Sequence, residues 1–140
     1  MRPSIFLLIT LLLAGCSIGP RYANTRVPGV ATLVENTEFP VSVEVEMIDG
    51  GIAPKAPFYL VPGSHHLSIG LSTGHLIASA DADIVVHADK NYRLDVLKQI
   101  HGLVGYAPLV LRIVDAESGE TVYSRWVLLH EAVSSGIPPY

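Results

Sequence analysis

Six histidines, a single cysteine and two closely spaced aspartates carry most of the reactive chemistry in this 140-residue chain. Cys16 is the only cysteine, so no internal disulfide can form and its thiol is free for modification. His65 and His66 are neighbours, with His75 and His87 downstream, and imidazoles in such a cluster raise the question of a metal. Asp81 and Asp83 fall on one side of any strand that contains them, as an acid–base or calcium pair would. Gly70-Leu71-Ser72-Thr73-Gly74 fits the G-x-S-x-G pattern that presents a serine nucleophile. Tyr92, Tyr123 and Trp126 offer ring faces for contact with sugar or protein.

Each of these readings depends on backbone that holds the groups in place. A G-x-S-x-G nucleophile needs a strained turn from a strand into a helix above a parallel sheet. The residues after Gly74 alternate like a strand instead, and a hairpin turn using glycine's freedom explains the motif. His65 and His66, adjacent in a strand, point to opposite faces and do not readily share one ion. Matching the apolar faces of the hairpin sets His66 opposite Ser79 or Asp81, roughly 20–27 Å from His87. His66, His87 and His75 are therefore weak metal candidates, and no cofactor is called for. His65 is expected at the edge of the core with a hydrogen-bonded ring nitrogen. Asp81 and Asp83 lack the glycine-punctuated loop of a calcium site and read as a solvated face. Trp126 shares parity with Val122 and Leu128, which predicts a place in the core.

The positioning elements read as strands. Val41, Val43, Val45 and Met47 alternate with Ser42, Glu44 and Glu46 before an Asp49-Gly50-Gly51 turn. Three prolines between Ala53 and Pro62 exclude a helix interior and suggest a loop or edge segment. His65, Leu67, Ile69 and Leu71 share a face, as do Leu76, Ala78, Ala80, Ala82, Ile84 and Val86. The alanines allow a competing helical turn at 78–82, but period two fits better. Asp89-Lys90-Asn91 turns the chain into Tyr92, Leu94 and Val96; 109–114 is apolar on both faces except Arg112, like a central strand. Ser118-Gly119 marks a hairpin into 121–129, and 134–140 reads as a flexible tail. About seven strands without a convincing helix predict an all-β domain over 30–133, an antiparallel β-sandwich.

The amino terminus has a separate character. Arg2 precedes an apolar stretch, Ile5 to Leu13, of about 9 residues, against the roughly 20 needed to span a bilayer. Such a segment, closed by the small residues Ala14 and Gly15, fits a cleaved export signal over 1–15. Residues 17–29 carry two prolines and two glycines without periodicity and read, with Cys16, as a flexible tether. Losing Arg2 with the leader takes the formal charge from −4 to −5. The remaining Lys and Arg are scattered, which argues against a nucleic-acid partner.

Leu13-Ala14-Gly15-Cys16 resembles the lipobox of bacterial lipoproteins. The resemblance implies cleavage between Gly15 and Cys16, a diacylglyceryl group on the Cys16 thiol, and acylation of its new amine. Ser17, not aspartate, then implies sorting to the outer membrane. Val45 to Gly50, Leu60 to Ile69, and Ile84 to Ala88 with Lys90 to Leu94 resemble PEGA-type, carboxypeptidase-regulatory and transthyretin-like modules. That resemblance implies a prealbumin-like sandwich without catalytic activity. The combined expectation is a non-enzymatic outer-membrane lipoprotein facing the periplasm, a scaffold or protein-binding subunit of the envelope. The alternative is a lipoprotein that binds a metal or small ligand through surface histidines.

Overall fold

A computed structural model describes residues 22–23, 25–37, 41–98 and 107–131. Its ten strands are β1 (Tyr22–Ala23), β2 (Ala31–Glu35), β3 (Ser42–Ile48), β4 (Gly51–Ile52) and β5 (Phe58–Leu60), followed by β6 (Gly63–Thr73), β7 (Leu76–Val86), β8 (Asn91–Lys98), β9 (Ala107–Asp115) and β10 (Thr121–Glu131). No helix occurs among the described residues. The protein is all-β because alternation governs the long segments: Ala80, Ala82, Ile84 and Val86 are buried while Asp81, Asp83 and Val85 are exposed. The alanines of β7 thus supply thin inward side chains to a strand.

The strands form one sheet in the order β1-β5-β2-β8-β9-β10-β7-β6-β3-β4. The sheet curls into a half-barrel whose two halves share one hydrophobic core. β10 makes the corner: Thr121 to Leu129 pair with β9, and among the described residues only His130 and Glu131 pair with β7. On the open side, the Val45 N–H donates to Glu35 Oε1 at 2.7 Å, so a side chain takes the place of a neighbouring strand's carbonyl.

Several expectations change. All neighbours are antiparallel except β2 and β8, which run parallel, so the sheet is mixed. The parallel pair arises because β3, next in sequence, joins the other half and leaves β2 to pair with β8. The strand count exceeds seven through β1, β4 and β5, each two or three residues long and too short to show a period. Met47 is exposed because a bulge between Val45 and Met47 shifts the pattern, and Ile48 takes the inward place. β1 lies inside the stretch read as a tether: Tyr22 and Ala23 pair with Leu60 and Tyr59.

The turns follow from their residues. Asp49 (φ 51°) and Gly50 (φ 82°) connect the paired residues Ile48 and Gly51, as a type I′ hairpin requires. Gly74 (φ 55°) opens the two-residue loop between Thr73 and Leu76.

Candidate functional site

Cys16 and Gly15 lie outside the described residues. The sites that can be built from geometry are the histidine–aspartate cluster at one end of the β6–β7 hairpin, a groove on the same half, and the outer face of β8, β9 and β10.

Asp49 organises the first. Its turn places the carboxylate over β6, where Oδ2 meets His65 Nδ1 at 2.7 Å and Oδ1 accepts the His66 N–H at 2.9 Å. His65 Nε2 lies 2.6 Å from the Val61 carbonyl, and the ring is only 4% exposed. Both nitrogens face acceptors, as expected for a histidine at the core edge. His65 is a clamp between the β3–β4 turn and the chain before β6, leaving no free nitrogen for a ligand.

His66 faces outward, paired in register with Asp83, two residues beyond Asp81 and four beyond Ser79. The register slides because the hairpin loop is Gly74-His75, two residues further along the chain than the Ser72-Thr73 turn expected. Its Nδ1 is 2.7 Å from Asp83 Oδ1 and its Nε2 is 3.6 Å from Asp81 Oδ1. The Asp83 hydrogen bond, opposed by slight desolvation and helped by the charges of Asp83, Asp81 and Asp49, raises the His66 pKa above its ordinary value. Ser68 Oγ donates to Asp81 Oδ1, so the two aspartates are occupied by neighbours on β6.

Among the described residues, the other histidines are not gathered here. His87 lies four residues beyond Asp83, about 13 Å along the strand, and His75 sits in the hairpin loop about 26 Å away. Among the described residues, no group of three or more His, Cys, Asp or Glu is placed to hold a metal. Ser72 lies within antiparallel β6, paired with Ser42 and Ile77, and leads into a hairpin.

Sequence reasoning missed a groove of about 330 Å³ on the outside of this half. Gly70, Ser72 and Ser79 floor it, with Glu44 and Glu46 on one side and Ile77 and His130 on the other. The Glu46 carboxylate lies across Gly70, where an added Cβ would meet Oε1 at 2.4 Å. A glycine paired with Glu44 in an otherwise apolar–polar strand was the available signal.

The outer face of β8–β10 corrects the placement of Trp126. Its ring is 59% exposed, because the inward residues of β10 are Val127 and Leu129. Both parities of this strand carry apolar residues, so alternation alone does not choose the buried one. The register aligns Trp126, Val110 and Leu97 in one row and Leu128 with Pro108 beside it. The next row holds Ser124, Arg112 and Asp95; then come Val114, Arg93 and Val34.

Asp95 is 4% exposed although it belongs to an outer face, because side chains close over it. Arg93 donates from Nε and Nη2 at 2.8 and 3.0 Å, Asn36 Nδ2 donates at 3.0 Å, and Arg112 Nη2 stands 3.5 Å away. Burial pushes the Asp95 carboxyl up, but these hydrogen bonds and the two guanidinium charges outweigh it and leave its pKa below the usual carboxylate range. Arg112 Nε is buried without a hydrogen-bond partner among the described residues.

Comparison of the chain with protein-family models, with curated proteins and with solved structures finds no match.

Proposed function

We propose that this protein is a lipid-anchored, non-enzymatic component of a bacterial outer membrane, a scaffold or binding subunit in the envelope. The observation that carries the reading is the position of the only cysteine, Cys16, directly behind Leu13-Ala14-Gly15 and an apolar stretch too short to span a bilayer. The β-domain is its cargo, related in this reading to prealbumin-like sandwich modules through its Asp49-Gly50 turn and Pro62-Gly63 to Ile69 strand. Two structural features support an anchored binding module. Among the described residues, strand pairing begins at Tyr22, six residues after the cysteine. A contiguous apolar row with Trp126 is left open on the outer face.

The test is metabolic labelling of growing cells with an alkyne fatty acid, followed by envelope fractionation and mass spectrometry of the mature amino terminus. The expected product starts at Cys16, carries acyl groups and fractionates with the outer membrane. Cys16→Ser is expected to abolish the label while leaving the domain folded. A mature protein that begins elsewhere, or carries no lipid at Cys16, overturns the reading.

A further inference from the structure

The two halves of the sheet present opposite surfaces. On the β3–β4–β6–β7 half, Glu44, Glu46, Asp81 and Asp83 are all exposed, and these strands contain no Lys or Arg. On the outer face of β8–β10, Trp126, Leu128 (54% exposed) and Leu97 (43%) line up with half-buried Val110 and Pro108. The adjoining rows bring Arg112 and Arg93, and the one carboxylate on the described strands of this face, Asp95, is buried beneath them. Exposed Glu117 stands at the far end, 3.4 Å from Asn91. Apolar side chains bordered by two guanidinium groups, of which Asp95 offsets one charge, with no exposed acid beside the Trp126 row, match the headgroup layer of an anionic bilayer. Indole is the side chain best suited to that layer, with an apolar body and one polar N–H. The acidic half then faces water, since anionic lipid repels it.

The amino terminus makes the match geometrically available. β1 is part of the same half-sheet, joined through β5 and β2 to β8. From Cys16 to Tyr22 the chain spans six residues, at most about 20 Å when extended. The full stretch to Val30 would have left the domain a much longer reach. A body held so near the bilayer needs only a modest preference to orient one face toward it, because the anchor supplies the local concentration. A protein partner or a second copy is the competing occupant; the charge polarity and the short reach favour lipid.

We infer that the outer face of β8, β9 and β10 lies on the anionic membrane surface, with Trp126 in the headgroup layer. The inference rests on the lipid-anchor reading of Cys16. Trp126 is the only tryptophan, so its fluorescence reports on this face alone. The full chain, lipidated and reconstituted in phosphatidylcholine–phosphatidylglycerol vesicles, is compared with and without bromine on the acyl chains. Brominated lipid is expected to quench Trp126 at least twofold, and less in pure phosphatidylcholine. Leu128→Asp and Leu97→Asp, both at exposed positions, are expected to release the quenching with the β-sheet circular dichroism unchanged. An acylated protein whose Trp126 is insensitive to bromine overturns the inference alone. Bromine insensitivity with protection from aqueous acrylamide overturns it in favour of a protein occupant. Absence of an acyl group on Cys16 overturns the anchor and this inference together.

Discussion

Asp49 shows how much one residue holds. It adopts a left-handed backbone that Asp and Asn tolerate better than most residues, and it accepts hydrogen bonds from the next strand through both carboxylate oxygens. Alanine would strain the turn and leave the His65 ring without its partner in a buried setting. Asp49→Ala is expected to cost about 2–4 kcal/mol, and Asp49→Asn about half as much, read from urea midpoints. Equal losses for both would show that the turn backbone, not the carboxylate, dominates. Asp115 acts similarly at the β9–β10 hairpin, where its carboxylate accepts backbone N–H groups. The N–H groups of Ser118 and Glu117 on Oδ1, and then the Lys90 charge, hold its carboxyl below the ordinary range against some desolvation. A folded-state value below the unfolded one, about 3.9, means the stabilisation is present above that pH and is lost as pH falls through the folded value. Asp115→Asn is therefore expected to lose less stability than wild type between about pH 5 and pH 2. Parallel pH–stability curves for the two proteins would exclude this role.

At the scale of elements, the legible parts of the fold are those with a long period. β6, β7 and β8 show their inward faces in the sequence, as His65, Leu67, Ile69 and Leu71, as Ala80 to Val86, and as Tyr92, Leu94 and Val96. Bulges and pairing partners are not legible, because one inserted residue leaves local composition intact while reversing every side chain beyond it. Met47 is on the outside for that reason. Trp126 is misplaced for a related one, apolar residues on both sides of β10, and with it the candidate docking row escaped the sequence. The site residues that were legible are the local ones. His65 at the core edge followed from parity. The distance of His66 from His87 depends instead on the hairpin register and is about 13 Å, not the roughly 20–27 Å expected, and the Asp95 network needs three strands in register. Glycines separate local from tertiary demands. Gly50, at φ 82° with open space around it, is needed for its backbone, and Gly50→Ala is expected to cost about 1 kcal/mol. At Gly70 a Cβ meets only the movable end of Glu46, so Gly70→Ala is expected to shift the thermal midpoint little. A loss at Gly70 larger than at Gly50 would mean that Glu46 is fixed in its position over the strand.

For the whole molecule, the question is whether the two halves of the curled sheet are one cooperative unit. Among the described residues, hydrogen bonding between them is slight: β10 pairs with β7 at His130 and Glu131, the Tyr123 hydroxyl donates to the Asp81 carbonyl, and the Val45 N–H donates to Glu35. The apolar interior argues the other way. Leu33 and Leu94 from one half lie in the same buried cluster as Leu67, Ile69 and Val86 from the other. Neither half can keep that face dry alone, and apolar burial contributes about 25 cal/mol per Å², so separating them exposes most of the core. Leu129 is fully buried at the corner, just before β10 passes from β9 to β7. Leu129→Ala is expected to cost about 2–5 kcal/mol and to lower the stability of both halves equally. Native-state hydrogen exchange reads this directly, by comparing amides of Leu67 and Ile69 on β6 with those of Leu94 and Val96 on β8. A common drop means that the core, not the two-residue bridge, joins the halves. If only one set loses protection, the half-barrel is two separately stable sheets, and the surface bearing Trp126 can then open without disturbing the acidic one.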